Sequence, residues 1–454
     1  MNTLSDNQNR DIHYHMHPYT NAVKHQQIGP RVIERGEGIY VYDDQGRKYI
    51  EGMAGLWSVA VGFNEQRLVA AATRQMSKLP FYHTFTHKTH TPSIELAEKL
   101  VQLTKGRMNT AFFTNSGSEA NDTVIKMVWY YNNALGRTQK KKIIARNRGY
   151  HGVTVASASL TGLAHNHRGF DLPLPQMKHV TCPHFYREGR PGETEDDFAT
   201  RMAEELEALI LSEGPDTVAA FIGEPVMGAG GVIVPPETYW AKIQQVCRKY
   251  DVLIVADEVI TGFGRLGYMF GSDRFGIEPD IMVLSKQITS SYLPLAAVLL
   301  SEPVQSVIAR YSGELGTFGH GYTTSGHPVA TAVALENIRI IEENGLVENA
   351  ARVGEVLQSS LRALSDHPLV GEVRGTGLIA AVELVADKAT RKQFDPAGKA
   401  GALLVERAHE HGLIVRGIQD SIAFCPPLII TEEQVRDMVG RFVDTLEEVQ
   451  GQLV

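Results

Sequence analysis

Four short stretches hold residues able to act together on one small molecule. Thr114-Asn115-Ser116-Gly117-Ser118-Glu119 is a Gly/Ser turn ahead of a helical pattern that runs through Trp129. Such a turn offers free backbone N–H groups and hydroxyls to a phosphate, and the positive end of the helix adds to the attraction. Asp257 closes the apolar run Val252-Leu253-Ile254-Val255-Ala256. A carboxylate at that strand end either caps a loop or holds a cationic ring nitrogen, and a buried one left without a partner is costly. Lys286 follows Asp280-Ile281-Met282-Val283-Leu284-Ser285. An amine carried from an apolar strand into a cavity loses solvation, which favours its neutral, nucleophilic form; a snorkelling surface lysine is the plainer alternative. Tyr150, bordered by Gly149 and by His151-Gly152, either stacks on a flat ring or fills core.

The elements that must position these residues are legible as alternating periods. Short apolar runs at Ala111–Phe113, Lys142–Ile144, Val218–Ile222, Val252–Ala256, Asp280–Leu284 and Leu295–Leu300 predict strands buried on both faces. Between them, Glu195 to Leu211 sets Phe198, Met202, Leu206, Leu209 and Ile210 on one side of a helix. Strand and helix in alternation predict an α/β fold with a mostly parallel sheet. Ahead of it, Gly38 to Ile50 predicts a β-hairpin. Beyond about residue 325, helices at Thr331–Glu343 (closed by Gly345) and Glu432–Val449, with strands at Gly377–Leu384 and Ile422–Phe424, predict a smaller α+β domain. The division expected is 1–65 packing with the small domain, 66–325 as the large domain, and 326–454 as the small one. Glu188–Glu193 and Tyr311–Gly321 are expected to be loops.

Composition narrows the partners. With 454 residues, 43% apolar and 21% charged, the chain can bury a sizeable core, and its net charge of −8 argues against nucleic acid or an anionic membrane as the main partner. No apolar run approaches the ~20 residues that span a bilayer. Cys182, Cys247 and Cys425 have no ligand or disulfide spacing, and the N-terminus shows no export pattern, so the expected location is cytoplasmic. His13, His15 and His17, and likewise His83, His87 and His90, invite a metal, but no carboxylate or cysteine pattern completes a site, so none is expected. Gly262-Phe263-Gly264-Arg265-Leu266-Gly267 and Gly375-Thr376-Gly377 lack the strand–glycine–helix context of a dinucleotide site, and Gly398-Lys399 lacks the P-loop glycines. A phosphate turn, a stacking ring, a carboxylate for a ring nitrogen and a strand-end lysine remain, and pyridoxal phosphate asks for that set.

Asn115 to Asp122, Tyr150-His151-Gly152, Gly223-Glu224-Pro225-Val226, Asp257 to Arg265 and Ser285-Lys286-Gln287 together resemble the class III aminotransferases of the fold type I pyridoxal-phosphate enzymes. The likeness is to the ω-amino-acid:pyruvate transaminase group and runs through nearly the whole chain. It implies that Lys286 bonds to the cofactor aldehyde, Asp257 meets the ring nitrogen, Tyr150 and Val259 cover the two ring faces, Gly117 and Ser118 hold the phosphate, and Glu224 belongs to the cofactor site. Thr323 matches a threonine that reaches the phosphate of a neighbouring subunit, which implies a homodimer with shared active sites, alone or paired into a tetramer. Leu56, Trp57, Tyr82 and Phe85 match the lining of the substrate pocket, and Arg416 a mobile carboxylate-binding arginine. Gln287 and Thr324 stand where many relatives differ. The activity implied is transfer of an amino group from a primary amine or ω-amino acid to pyruvate or a similar keto acid. The alternatives are an aminomutase or decarboxylase on the same scaffold, or a non-catalytic regulatory protein that keeps the fold.

Overall fold

The computed structural model describes residues 4–453. The chain opens with β1 (Ile33–Glu37), β2 (Tyr40–Asp43) and β3 (Lys48–Glu51). The expected hairpin is β2–β3, with Tyr40 opposite Ile50 and Tyr42 opposite Lys48. β1 adds to its edge and was not expected. Its residues are mostly exposed and charged, so no apolar alternation marks it.

The large sheet has seven strands: β4 (Thr110–Thr114), β5 (Lys142–Arg146), β6 (Met177–Val180), β7 (Val218–Gly223), β8 (Leu253–Asp257), β9 (Ile281–Leu284) and β10 (Ala296–Leu300). Their order is β4-β10-β9-β8-β7-β5-β6. Every pair from β6 to β9 is parallel, whereas β10 is antiparallel to both β9 and β4. β4 therefore runs with the parallel strands, and the C-terminal ends of β4, β5, β7, β8 and β9 open on one side of the sheet. That side is where open α/β sheets bind ligands.

The core lies on both sheet faces because alternate residues of each strand go opposite ways. Phe221 and Ile254 pack with Phe198, Met202, Leu206 and Trp240, while Ile222 and Val255 pack with Val124 and Val128 of the helix Gly117–Ala134. Each such side chain contributes about 1.5–3 kcal/mol on burial. The helix foreseen at Glu195 extends to Glu213, opened by a Thr194–Asp197 capping box and stopped at Gly214 with φ +90°. Tyr311–Gly321 is not all loop: its first five residues finish the helix Glu302–Leu315, where Tyr311 packs edge-on against Tyr130 at 4.9 Å and Gly316 ends the helix at φ +83°.

The last third holds β11 (Val370–Thr376), β12 (Ile379–Leu384), β13 (Leu413–Ile414), β14 (Arg416–Ile418) and β15 (Ser421–Phe424). β11, unforeseen because glycine and charge interrupt it, heads the antiparallel sheet β11-β12-β15-β14. β13 instead pairs in parallel with β3, so the N-terminal strands and a C-terminal strand share one sheet. The helices expected here begin earlier, at Pro328, and end later, at Leu453. Among the described residues no helix is long and apolar enough to cross a membrane.

Candidate active site

Five strand ends deliver the chemistry-bearing residues to one cavity of about 1090 Å³. Gly117 and Ser118 follow β4, Tyr150 follows β5, Glu224 follows β7, Asp257 ends β8 and Lys286 lies two residues past β9; all line it, with Val259 between them.

Lys286 opens a single 3₁₀ turn and sits at φ +46°, a left-handed conformation that a residue with a Cβ adopts only when its surroundings enforce it. Gln287 provides the enforcement. Its amide donates to Ile260 O (3.0 Å) and Gly262 O (2.7 Å), accepts from Arg265 Nη2 (3.0 Å), and its backbone carbonyl takes Asn337 Nδ2 (2.8 Å). The long residue after the lysine thus points away from the cavity and anchors the turn. Burial pushes the Lys286 amine down to about 8, against the opposing pull of Asp257 and Glu224. A substantial neutral, nucleophilic fraction then exists near neutrality.

Asp257 is buried and held from three sides: His151 Nδ1 donates to Oδ2 at 2.8 Å, Asn121 Nδ2 to the same oxygen at 3.0 Å, and Val259 N to Oδ1 at 3.1 Å. Its neighbour Glu258 turns the other way, accepting from the Gly271 and Ser272 amides and two hydroxyls, so one carboxylate faces the cavity and the other holds the loop behind it. Glu224 accepts from Tyr150 N and Gly228 N, both at 2.9 Å, and burial raises it. It therefore fixes the backbone at Tyr150 from below.

Whether this cavity suits pyridoxal phosphate is decided by what it leaves unsatisfied. Asn121 Oδ1 and His151 Nε2, both beside Asp257, are buried with no hydrogen-bond partner among the described residues. The first-turn N–H groups of Gly117 and Ser118 have no intrahelical acceptor. Gly152, at φ +130°, lets the Tyr150 loop approach that turn: a Cβ there would lie 2.5 Å from Ser157 Oγ and 2.7 Å from Ser118 Oγ. An anion cradle, a cavity lined by both Tyr150 and Val259, a fixed carboxylate and a desolvated amine fit the cofactor's phosphate, ring, nitrogen and aldehyde.

Leu56, Trp57 and Tyr19 from the N-terminal segment and Arg416 from β14 also line the cavity. Ala54, Gly55 and Trp57 all have positive φ, in a turn tied down by the buried carboxylate of Glu51, which accepts from Gly55 N and which burial raises to about 7. Arg416, first residue of β14, has no carboxylate partner among the described residues, and burial lowers its pKa. Tyr82, Phe85 and Thr323 do not reach this cavity. Tyr82 and Phe85 are 41% and 43% exposed, Phe85 lies against Gly321, and Thr323 is exposed on a loop whose Thr324 hydroxyl donates to Asn115 Oδ1 at 2.8 Å. Sequence reasoning quoted Asn121 and His151 within motifs without giving them a task. It missed Tyr19 and Glu51, since neither sits in a periodic or glycine-rich stretch.

Comparisons agree with this geometry. The family model described as aminotransferase class-III matches residues 20–446. A curated relative, gamma aminobutyrate transaminase 1, mitochondrial, of Solanum lycopersicum, is 51% identical over 98% of this chain and 87% of its own length. The crystal structure of the omega transaminase from Pseudomonas jessenii in complex with PMP is 63% identical, covers 99% of both chains and superposes with a TM-score of 0.98. A structure described as a transaminase with L-ala is 61% identical over 93% of this chain and all of its own, with a TM-score of 0.92. The chain belongs to the class III aminotransferases, enzymes of the fold type I architecture that work with pyridoxal 5′-phosphate.

Proposed function

We propose that this transaminase moves the amino group of a primary amine or ω-amino acid to pyruvate or a similar keto acid, in two half-reactions that share one cavity. The observation that carries the reading is Arg416, a guanidinium with no carboxylate partner among the described residues, in the same cavity as the Lys286 amine. A planar guanidinium grips a keto-acid carboxylate bidentately, and the apolar surfaces of Leu56, Trp57 and Ile260 receive a substrate that has none. The relative solved with L-ala supports a three-carbon acceptor.

Bound pyridoxal phosphate supplies an aldehyde that takes up the amino group and a cationic ring that draws electrons from the substrate carbon. The chain does the rest. The Gly117 and Ser118 N–H groups would hold the phosphate, Tyr150 and Val259 would cover the ring, and Asp257, oriented by His151 and Asn121, would keep the ring nitrogen protonated. The desolvated Lys286 amine would serve as the general base and acid that moves the substrate carbon's proton.

We place a second copy of the chain against the face formed by residues 80–87 and 318–324, where Phe81, Tyr82 and Phe85 are exposed apolar groups, so that Tyr82, Phe85 and Thr323 of each copy complete the other's site. A cytoplasmic location is our reading of three buried, unpaired cysteines. The activity is tested by incubating the holoenzyme with pyruvate and a panel of ω-amino acids, linear diamines and arylalkylamines. Amine-dependent alanine formation is expected. Loss of carbon dioxide from an amino acid, or migration of its amino group, with no alanine formed would overturn the reading.

A further inference from the structure

The histidines near the N-terminus lack a completing ligand in the sequence, and folding supplies one. Helix α1 (Asp6–Tyr14) and helix α2 (Ala22–Ile28) are joined by a short return loop. Asp11 lies in the last turn of α1, and His15 is the C-cap residue whose backbone N–H donates to Asp11 O. His17 follows in the loop and His25 comes back from α2. His17 Nε2 lies 3.0 and 2.8 Å from the two Asp11 oxygens, His15 Nδ1 3.2 Å from Oδ1, and His25 Nε2 3.0 Å from Oδ2. The His15 and His17 rings are 4.4 Å apart at their centroids, and those of His17 and His25 4.3 Å.

Three imidazoles converging on one carboxylate is a ligand set. A tetrahedral zinc ion with bonds of about 2.0–2.2 Å sets its ligand atoms roughly 3.3 Å apart, and the four separations from Asp11 are within a few tenths of an ångström of that. One ligand atom from each of Asp11, His15 and His17 already lies within 4.8 Å of the other two. The other such trio among the described residues, His184, Glu372 and Glu383, differs in kind: Arg374 takes both glutamates at 2.5 and 2.6 Å and Arg187 takes Glu383 at 2.6 Å, so that site's negative charge is already neutralised. No arginine or lysine pairs with Asp11 among the described residues.

We propose that Asp11, His15, His17 and His25 bind a late first-row divalent cation, for which zinc is the natural probe, and that the ion clamps α1 to α2. The clamp bears on the active site because the loop it closes carries Pro18 and Tyr19 into the cavity wall, where Tyr19 accepts a hydrogen bond from Asn166 and its hydroxyl borders that of Tyr150. An ion at the base of this loop fixes one edge of the substrate entrance.

The test uses untagged, cofactor-loaded full chain, freed of metal by dialysis and titrated with zinc chloride by calorimetry and with cobalt chloride by visible absorption. One equivalent per chain with micromolar or tighter affinity, and the intense cobalt bands of a tetrahedral nitrogen–oxygen site, are expected. His17→Ala and His25→Ala should each weaken zinc by at least about tenfold. Asp11→Asn, which keeps shape and most hydrogen bonding, should do the same without disturbing the arm. Zinc should slow amide exchange of residues 15–21 in the wild type and not in His17→Ala. Zinc affinity in Asp11→Asn and His17→Ala equal to the wild type, or no stoichiometric binding by the wild type, would overturn the proposal.

Discussion

The two walls of the cavity are built on different terms. On the strand-end wall, Asp257 and Glu224 are each engaged by two or more hydrogen bonds, and behind it Glu258 and Gln287 are engaged likewise, the fully paired Gln287 amide holding the strained backbone of Lys286. On the wall built by the N-terminal segment and β14, Arg416 has no counterion and Trp57 Nε1 is buried without a partner among the described residues, Leu56 is 56% exposed, and three of the four residues from Ala54 to Trp57 are left-handed. A wall whose carboxylates and lysine turn are fixed by hydrogen bonds, with a few donors and acceptors left open, holds a group in a single pose. A wall with a free charge and an apolar ledge receives molecules that arrive and leave. The contrast is the one expected if the strand-end side keeps a cofactor and the Arg416 side exchanges substrates.

That contrast can be broken from either wall. Lys286→Ala should lower turnover by roughly 10²–10⁴-fold, the scale of positioned proton transfer, with cofactor still binding through its phosphate. Asp257→Ala should slow the proton-transfer step by about 10²–10³-fold while weakening cofactor retention far less, because the phosphate turn is untouched. Rapid-mixing spectra of the two half-reactions read both. Arg416→Ala should raise the KM for pyruvate roughly 10–100-fold, the equivalent of the ~1.5–3 kcal/mol of a charged hydrogen bond, and leave the half-reaction of an uncharged amine nearly intact. If it instead harmed both halves equally, Arg416 would belong to the permanent wall. Gly152→Ala places a Cβ 2.8 Å from Ser118 Cα, so the phosphate turn must move; a loss of ~1–3 kcal/mol in stability and a several-fold weaker hold on the cofactor are expected.

The smallest effect is a pH dependence of the cofactor-free protein. Burial lowers the Lys286 amine from 10.5 to about 8. Between those values the unfolded chain binds more protons than the folded one, so stability should rise as pH climbs from about 8 to about 10.5. Urea midpoints across that window should show a rise that Lys286→Met flattens.

Much of the strand-end wall was legible beforehand, because buried parallel strands announce themselves as apolar runs and their ends are where ligands collect. Asp257 and Lys286 each close such a run, and both line the cavity. The helices at Glu195, Thr331 and Glu432 were legible through their 3.6-residue period. What stayed hidden depends on contacts distant in sequence. Asn121 and His151 meet Asp257 across more than a hundred residues, Tyr19 enters from an arm with no periodicity, and Gln287 looks like a departure until Arg265 and the 260–262 turn close around it. The edge strands Ile33–Glu37 and Val370–Thr376 escaped for a different reason, since exposure and glycine erase the alternation that marks a buried strand.

The central claim is that the amine of Lys286, and no other, joins covalently to the cofactor's carbonyl carbon. Borohydride reduction of the holoenzyme followed by peptide mass mapping tests it directly. The account predicts one phosphopyridoxyl group per chain, on the peptide that carries Lys286, and none in Lys286→Ala. A reduced cofactor found on a different lysine, or no covalent attachment at all in the active wild-type enzyme, would contradict it.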